Sequence, residues 1–492
     1  MKKVRKKTGK VFSCVELYGV KQNIVLLRNS QTRHRPIENK DGKFQPKKEV
    51  SLLTETPAGT GAFLVGRCQK MSSNEIVVSL DVGTSNVKVI IGEMLGSSIN
   101  IIGVGNVKAE GLKKGAIVDI DKTVQSIRRA VEQAERMVGL SIRRVIVGVA
   151  GSHIQLHDCH GIVAVASENR EISDEDVARV IDAAQVVSIP PDREIIGVVP
   201  RQFIVDGLDG IHDPRGMLGV RLEMEGTMVT GAKTVLHNLL RCVERAGLEI
   251  SDICLQPLAA GSLVLSDDER HLGAALVDLG GGSTTVAVFE QGTLQAVSSL
   301  PVGGEHITKD LAIGLRTTTD DAEKIKLKHG HAFYDYASEE EVFSVPIMGT
   351  DQHQQFSQLE IADIIEARLE EILQMVQHEV RRLGFRDLPG GYVLTGGVAN
   401  MPGLLELAHV VLGTSVRIAM PDYIGVRDPQ YTIGVGLLKF AYRQAQLQGK
   451  TVPAAAAVEP VERSSQKQQP KPKKKEDHFG KKVKKFFGSF FE

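Results

Sequence analysis

The chain has 492 residues, 42% of them apolar, and because single hydrophobic cores stop growing at roughly 250 to 300 residues, more than one core is expected. Its zero formal charge is uneven: residues 1–70 carry 16 basic and 5 acidic groups and residues 467–492 carry 9 and 3, leaving an acidic body between basic ends. That distribution argues against a nucleic-acid partner and suits a basic tail on an anionic membrane surface. Five scattered cysteines, Cys14, Cys68, Cys159, Cys242 and Cys254, form no disulfide framework and fit a reducing compartment. No run approaches the roughly 18 apolar residues of a membrane span, and the basic N-terminus lacks the apolar stretch of a secretory leader.

Residues 1–70 show no apolar period, and strand patterning starts abruptly after Met71, in MSSNEIVVSLDVGTSN. Two readings stay open, a basic disordered extension or a start assigned upstream of the true one at Met71. The second is favoured, because the codons of Gly66-Arg67 can form a purine run resembling a ribosome-binding site just ahead of the Met71 codon. From Met71 to about Gln448 strands alternate with helices.

An internal duplication organises this body. IVVSLDVGTSNVKVIIGEM followed by INIIGVGNVKAEG matches GAALVDLGGGSTTVAVFEQG followed by TLQAVSSLPVGG. Each copy runs on through a helix to a strand ending in small residues, RRVIVGVAGSHI from Arg143 and GYVLTGGVANMPG from Gly391. Two such β-β-β-α-β units make two lobes facing a cleft. The expected division is 71–153 with 235–272 for the first lobe, 273–316 with 386–448 for the second, and 317–385 for the upper part of the second. Residues 154–234 are an α+β insert that the duplicated plan does not need, with a helix whose acidic first turn follows Ser173. His153, His157, Cys159 and His160 fall at its start; their alternation suits a strand better than a zinc site, since no second ligand pair follows. Residues 451–477, rich in Ala, Pro, Gln and Lys, read as a flexible tether.

The first chemical motif, Asp81-Val82-Gly83-Thr84-Ser85-Asn86-Val87-Lys88, lies between two strand-like runs, whereas a Walker loop or Rossmann turn would open a helix. A phosphate-binding hairpin fits. Gly83 allows close backbone approach, the Thr84 and Ser85 hydroxyls and turn amides donate to phosphate oxygens, and Lys88 neutralises them. Asp81 is a hard oxygen ligand suited to Mg²⁺ on a triphosphate. Asp278-Leu279-Gly280-Gly281-Gly282-Ser283-Thr284 repeats the motif 197 residues later. Either loop alone is most often a plain hairpin turn; the pair, in duplicated contexts, points to a polyphosphate and its metal gripped from both sides. In VLTGGVANMPG a strand ends at Gly396-Gly397, leaving no side chain between the backbone and a flat base. Taken alone, that motif is equally a strand-to-helix turn.

The two aspartate loops, the VLTGG turn and the connecting helices resemble the phosphate, adenosine and connect motifs of the actin, Hsp70 and sugar-kinase superfamily. The likeness is greatest to the FtsA family of actin-like bacterial cell-division proteins, in stretches such as AVEQAERMVG, RCVERAGLEI, DAEKIKLKHG and YTIGVGLLKFA, and it runs from about Ser73 through the C-terminal helix. The resemblance implies an α/β, two-lobed, actin-like ATPase fold of duplicated RNase H-like units with a small α+β subdomain inserted. It implies ATP with Mg²⁺: Asp81 and Asp278 in the metal shell, and Gly83, Thr84, Ser85, Asn86, Lys88, Gly280, Gly281, Gly282, Ser283 and Thr284 at the phosphates. Gly396, Gly397 and Met401 would flank the adenine. Glu323 and Lys326, on one helix face, would contact the ribose, with an exposed salt-bridge pair as the alternative.

Gln256 opens QPLAAG, which is similar to the Glu-Pro-x-Ala-Ala run that places the attacking water in related ATPases. A glutamine orients water without being a strong base, so a weak ATPase at most is implied; helix capping is the alternative role. In the family the insert serves contacts between protomers of a filament and with later division proteins. The upper second lobe receives the C-terminal tail of FtsZ, the tubulin-like ring protein, with Glu366, Arg368 and Glu371 as candidates here and a solvated helix face as the alternative.

At the end of the chain Phe479, Val483, Phe486, Phe487, Phe490 and Phe491 fall at offsets 0, 4, 7, 8, 11 and 12, one helical stripe, with Lys481, Lys482, Lys484 and Lys485 flanking or opposing it. A core helix is seldom this aromatic and basic at once, so residues 478–492 are expected to be an amphipathic helix lying on the membrane, a partner-binding helix being the alternative. With the resemblance, the expected function is that of an ATP-binding, polymerising scaffold on the cytoplasmic face of the cell membrane, peripheral and at the division site, which tethers the FtsZ ring and recruits later divisome membrane proteins. A small-molecule kinase of the same fold would need a carboxylate base beside a sugar pocket, and a chaperone would need a further peptide-binding domain.

Overall fold

The computed structural model describes residues 75–95 and 98–447, with the backbone of 456–457. The expected extension 1–70, the rest of the tether and the terminal helix, including the stripe from Phe479 to Phe491 and its four lysines, lie outside the described residues.

Apolar alternation builds the first sheet. Strand β1, Glu75–Val82, pairs antiparallel with β2, Asn86–Leu95, which pairs antiparallel with β3, Ser98–Lys108. Helix α1, Ile120–Val138, starts where Asp119 accepts the Lys122 amide at 3.1 Å and stops at Gly139, whose φ of 71° favours glycine. Its face of Val124, Ile127, Ala130 and Ala134 is buried on the sheet. A Cβ at Gly105 would lie 2.0 Å from the Ala130 carbonyl oxygen, so the helix rests directly on strand backbone there. Strand β4, Arg144–Val149, then adds parallel to β1.

The insert follows as a four-stranded antiparallel sheet: β5, Gln155–Ala164; β6, Arg193–Val205; β7, Leu208–Ile211; and β8, Arg221–Ala232, in the order β7-β6-β8-β5. Helix α2, Asp174–Ala184, carries a Ser173/Asp176 capping box and buries Val177, Val180 and Ile181 with Leu222, Met224 and Met228 in a core of its own. Chain direction returns to the first sheet through α3, Lys233–Arg245, and β9, Glu249–Leu255, parallel to β4. The first sheet is thus ordered β3-β2-β1-β4-β9.

After α4, Gln256–Val264, and α5, Asp267–Leu272, the plan repeats. Strands β10, Ala274–Leu279, β11, Thr284–Glu290, and β12, Thr293–Leu300, form the antiparallel half. Helices α6, Gly304–Gly314, and α7, Thr319–His329, lead to a hairpin of β13, Val342–Pro346, and β14, His353–Ser357, and to the long α8, Gln358–Arg382. Then β15, Tyr392–Thr395, adds parallel to β10, and after α9, Leu404–Leu412, β16, Val416–Ile418, adds parallel to β15. The order β12-β11-β10-β15-β16 reproduces that of the first sheet. One core joins this sheet to α6, α7, α8 and α9, so residues 317–385 share the second lobe's interior.

The last described helix, α10, Thr432–Leu447, and α4 are exchanged between the lobes. Val435, Leu437 and Leu438 of α10 pack with Val77, Ile90 and Ile146 of the first sheet, while Leu258 and Ala260 of α4 pack with Leu276, Ala287 and Phe289 of the second. The helices meet where a Cβ at Gly436 would lie 2.6 Å from the Ala259 carbonyl oxygen. No helix among the described residues is long and apolar enough to cross a membrane.

Candidate functional site

The two hairpins close alike. The Gly83 amide donates to the Asn86 carbonyl and the Gly280 amide to the Ser283 carbonyl, each at 3.1 Å. In both, the strand register sets the aspartate opposite a residue of the next strand, Lys88 across from Asp81 and Thr285 across from Asp278. The tips touch: a Cβ at Gly281 would lie 1.8 Å from Ser85 Oγ, and one at Gly282 2.5 Å from Thr84 Cγ2. Glycine is needed here for close approach. Thr84 Oγ1 also accepts the Gly115 amide at 2.9 Å, which fastens the small hairpin Leu112–Lys113/Ala116–Ile117 over the first loop.

These loops form one end of a cleft of about 770 Å³, which is lined by every expected nucleotide and metal residue except Thr284. Thr284 is a correction: it begins β11 facing inward, is 0% exposed, and donates its hydroxyl to the Val302 carbonyl at 2.8 Å. Because side chains alternate along a strand, Thr285 reaches the cleft in its place.

Asp81 is 3% exposed, with Oδ2 3.3 Å from Lys88 Nζ and Oδ1 accepting from Gln256 Nε2 at 3.0 Å. A carboxylate neighbour fixes the Gln256 amide with its nitrogen toward Asp81, leaving Oε1 as an acceptor. The N-cap of α4 is Leu255, without a side-chain cap, and the Gln256 side chain lines the cleft. Asp278 has no hydrogen-bond partner among the described residues. Its Oδ1 abuts Gly396, where a Cβ would lie 2.3 Å away. Burial first, then the negative Asp81, push the Asp278 carboxyl up to about 6, against the pull of Lys88. Two facing carboxylates, one unpartnered, fit a hard divalent cation of the kind held by one or two carboxylates plus phosphate oxygens and water. Among the described residues no three His, Cys, Asp or Glu converge on one point, so protein ligands alone do not complete such a shell.

At the opposite wall β15 ends in Thr395, whose hydroxyl bonds the Pro429 carbonyl at 3.1 Å and Thr432 Oγ1 at 2.7 Å. Gly396 follows at φ 93°, and beyond Gly397 nothing lies within 4 Å of where a Cβ would point, which leaves a bare backbone face beside Met401. Lys326 and Glu323 are not an exposed pair. The Lys326 side chain is 8% exposed and its ammonium donates to Glu323 Oε2 at 2.7 Å, Thr308 Oγ1 at 2.8 Å and the Gly304 carbonyl at 3.1 Å. The bonds to Gly304 and Thr308 fasten α7 to α6 and the third stays within α7, while Glu323, at 39%, lines the cleft.

The remaining expectations fall elsewhere. Glu366 accepts the Tyr334 amide, and Arg368 clamps Asp310 of α6 through Nε at 2.5 Å and Nη2 at 3.2 Å while also bonding Glu371, so all three are engaged within the second lobe. His157 bonds Thr230, His160 bonds Glu223, and Cys159 points into the insert core. Two features escaped the sequence reading. Thr285 has no signal beyond its register with Asp278. The Gly303-Gly304 pair brings α6 against the second loop, with the Gly304 amide on the Gly280 carbonyl at 3.0 Å and the Glu305 amide on the Gly281 carbonyl at 2.8 Å.

Comparison with known proteins agrees with this layout. The family model described as "Cell division protein FtsA" matches residues 275–436, and that of the "SHS2 domain inserted in FTSA" matches 151–230. The chain is 63% identical over 382 residues to the cell division protein FtsA of Bacillus subtilis, covering 78% of this chain and 87% of that protein. It is 33% identical over 397 residues to that of Escherichia coli, covering 77% and 93%. Among solved structures, the PilM-PilN type IV pilus biogenesis complex aligns with a TM-score of 0.51 at 16% identity, over 73% of this chain and 97% of that one, a likeness of fold. With two lobes of one repeated actin-like plan, an inserted subdomain where that family has one, and this degree of identity, the chain belongs to the FtsA family of cell-division proteins.

Proposed function

We propose that this protein binds ATP with Mg²⁺ in the cleft and, so loaded, assembles into actin-like filaments on the cytoplasmic face of the cell membrane at the division site. There it holds the FtsZ ring through the FtsZ C-terminal tail and recruits later division proteins of the membrane. The observation that carries this reading is the contact of two duplicated hairpins, each offering turn amides and one carboxylate, with Asp278 left unpartnered between them. Turn amides and hydroxyls of both loops suit phosphate oxygens, Asp81 and Asp278 suit the cation that accompanies them, and the bare Gly396-Gly397 backbone suits a flat base. The cation, when bound, would supply positive charge where the terminal phosphate's charge grows.

A scaffold is favoured over a small-molecule kinase because Asp81, Asp278 and Glu323 are the cleft-lining carboxylates among the described residues. Two belong to the phosphate loops and the third is tied to Lys326, which leaves no base for a substrate hydroxyl. Attachment to an anionic leaflet rests on the Phe479–Phe491 stripe and its lysines, each lysine near the surface adding about 1 kcal/mol, and assembly would make many such weak anchors avid. The test is sedimentation of the full chain with anionic liposomes, with and without MgATP, in the presence of a labelled FtsZ tail peptide. Pelleting that requires nucleotide and carries the peptide down is expected; nucleotide-independent behaviour with no peptide in the pellet refutes the reading.

A further inference from the structure

Behind the two loops a chamber of about 10 Å³ adjoins the cleft, room for one water molecule. It shares Gln256, Asp278 and Thr285 with the cleft wall; these are its polar side chains, and the rest of its lining, including Leu276 and Ile433, is apolar. Each of the three has an unused hydrogen-bonding position. Gln256 has Oε1, because Nε2 is taken by Asp81. Asp278 has its carboxylate, and Thr285 has its hydroxyl, which is without a partner among the described residues. The hydroxyl is not sealed in the interior: Thr285 lines both the cleft and the water-sized chamber, where water or a ligand can complete its bonding.

The duplication supplies a second argument. Thr285 stands across from Asp278 where Lys88 stands across from Asp81. One copy carries an ammonium bound to its own aspartate, and the other carries a hydroxyl bound to nothing described. The second copy thus puts its open hydroxyl on the chamber that Gln256 also lines.

We propose that Thr285 is a water-positioning residue, its hydroxyl together with Gln256 Oε1 holding the single water that attacks the γ-phosphorus of ATP. This rests on the nucleotide reading above and assigns the cleft a nucleophile. In the step, the water oxygen forms a bond to the γ-phosphorus as the bond between that phosphorus and the β,γ-bridging oxygen breaks. The bond's electron pair leaves on ADP; one water proton stays on inorganic phosphate and the other passes to solvent. Thr285 and Gln256 end the step with the protons they began with. Neither is a base, so cleavage is slow and its rate depends on how well the water is held.

The test uses the full chain with MgATP and measures nucleotide affinity, single-turnover cleavage and melting separately. For Thr285→Val, ATP and ADP affinities should stay within about twofold of the parent while cleavage falls about tenfold or more. The melting temperature without nucleotide should hold or rise, because a methyl replaces an unpartnered hydroxyl. Thr285→Ser should restore cleavage to within about threefold of the parent. Cleavage by the valine variant at the parent rate, a serine variant as slow as valine, or a lowered melting temperature with cleavage lost in proportion to folded protein each overturns the assignment. So does a parent that binds ATP and never cleaves it. A parent that fails to bind ATP refutes the nucleotide reading itself, through a different measurement.

Discussion

Replacing Asp278 with asparagine tests the electrostatics of the cleft before any ligand is added. In the folded chain this carboxyl titrates at about 6, against 3.8 for the free side chain. Between those values the folded state binds the proton and the unfolded state has lost it. Stability is therefore greatest below the lower value and falls as pH rises through the upper one; above that, an ionised carboxylate sits desolvated and facing Asp81. At 1.36 kcal/mol per unit, the displacement amounts to about 3 kcal/mol near neutral pH, an upper bound since water in the open cleft screens part of it. Asparagine keeps the shape and removes the charge. Ligand-free Asp278→Asn should thus be more stable than the parent at about pH 7.5, by up to about 3 kcal/mol, with the gap closing toward about pH 4.

Urea denaturation of both proteins across that pH range measures the gap. Affinity for MgATP should move in the opposite direction, because the substitution that relieves the charge also removes a cation ligand. A variant less stable than the parent at neutral pH, or a gap that does not change with pH, would show that the carboxylate is compensated in the folded chain and would refute the reasoning.

Gly281→Val should separate the loop tips, since its Cβ begins 1.8 Å from Ser85 Oγ; an overpacking cost of about 1–3 kcal/mol predicts an ATP affinity about ten to a hundredfold weaker by calorimetry, and unchanged affinity counts against a shared grip. Lys326→Met takes the ammonium from three acceptors and leaves the Thr308 hydroxyl to serve both Gly304 and Glu323, so stability in urea should fall by about 1–3 kcal/mol even without nucleotide, whereas loss of binding at full stability would assign Lys326 to the ligand alone. Phe486→Glu with Phe490→Glu should abolish sedimentation with anionic liposomes while leaving ATP affinity intact; undiminished pelleting would place the membrane contact elsewhere.

The repeated plan was legible because both copies carry the same alternation and the same turn chemistry at a fixed offset. That offset takes Asp81 to Asp278, Gly83 to Gly280 and Asn86 to Ser283, and the hydrogen bonds obey it. The helix of the insert was legible for a local reason, its Ser173/Asp176 capping box. What local pattern does not carry is which way a side chain faces where a loop becomes a strand. Thr284 and Thr285 are chemically identical neighbours, and a one-residue difference in phase sends the first to Val302 and the second to the cleft. Long-range pairings are equally silent in sequence. Arg368 finds Asp310 across two packed helices, and Lys326 finds the first turn of α6, through contacts that no periodicity encodes.

The exchange of α4 and α10 gives the duplication a mechanical consequence. Each hairpin is anchored in its own sheet, yet each sheet is packed by a helix that follows the other sheet's last strand, and the two helices touch at Gly436 and Ala259. A rotation of one lobe against the other must move the loop tips and this helix contact together. A polyphosphate that bonds both tips has a free-energy preference for one tip separation, and a ligand shifts a conformational equilibrium only by such a difference in affinity. Neither lobe alone presents both carboxylates, so the preference cannot be satisfied by rearrangement within one half. On the reading proposed above, nucleotide therefore acts on assembly through the angle between the sheets, and substitutions at the α4–α10 contact should alter the nucleotide dependence of assembly without touching a phosphate.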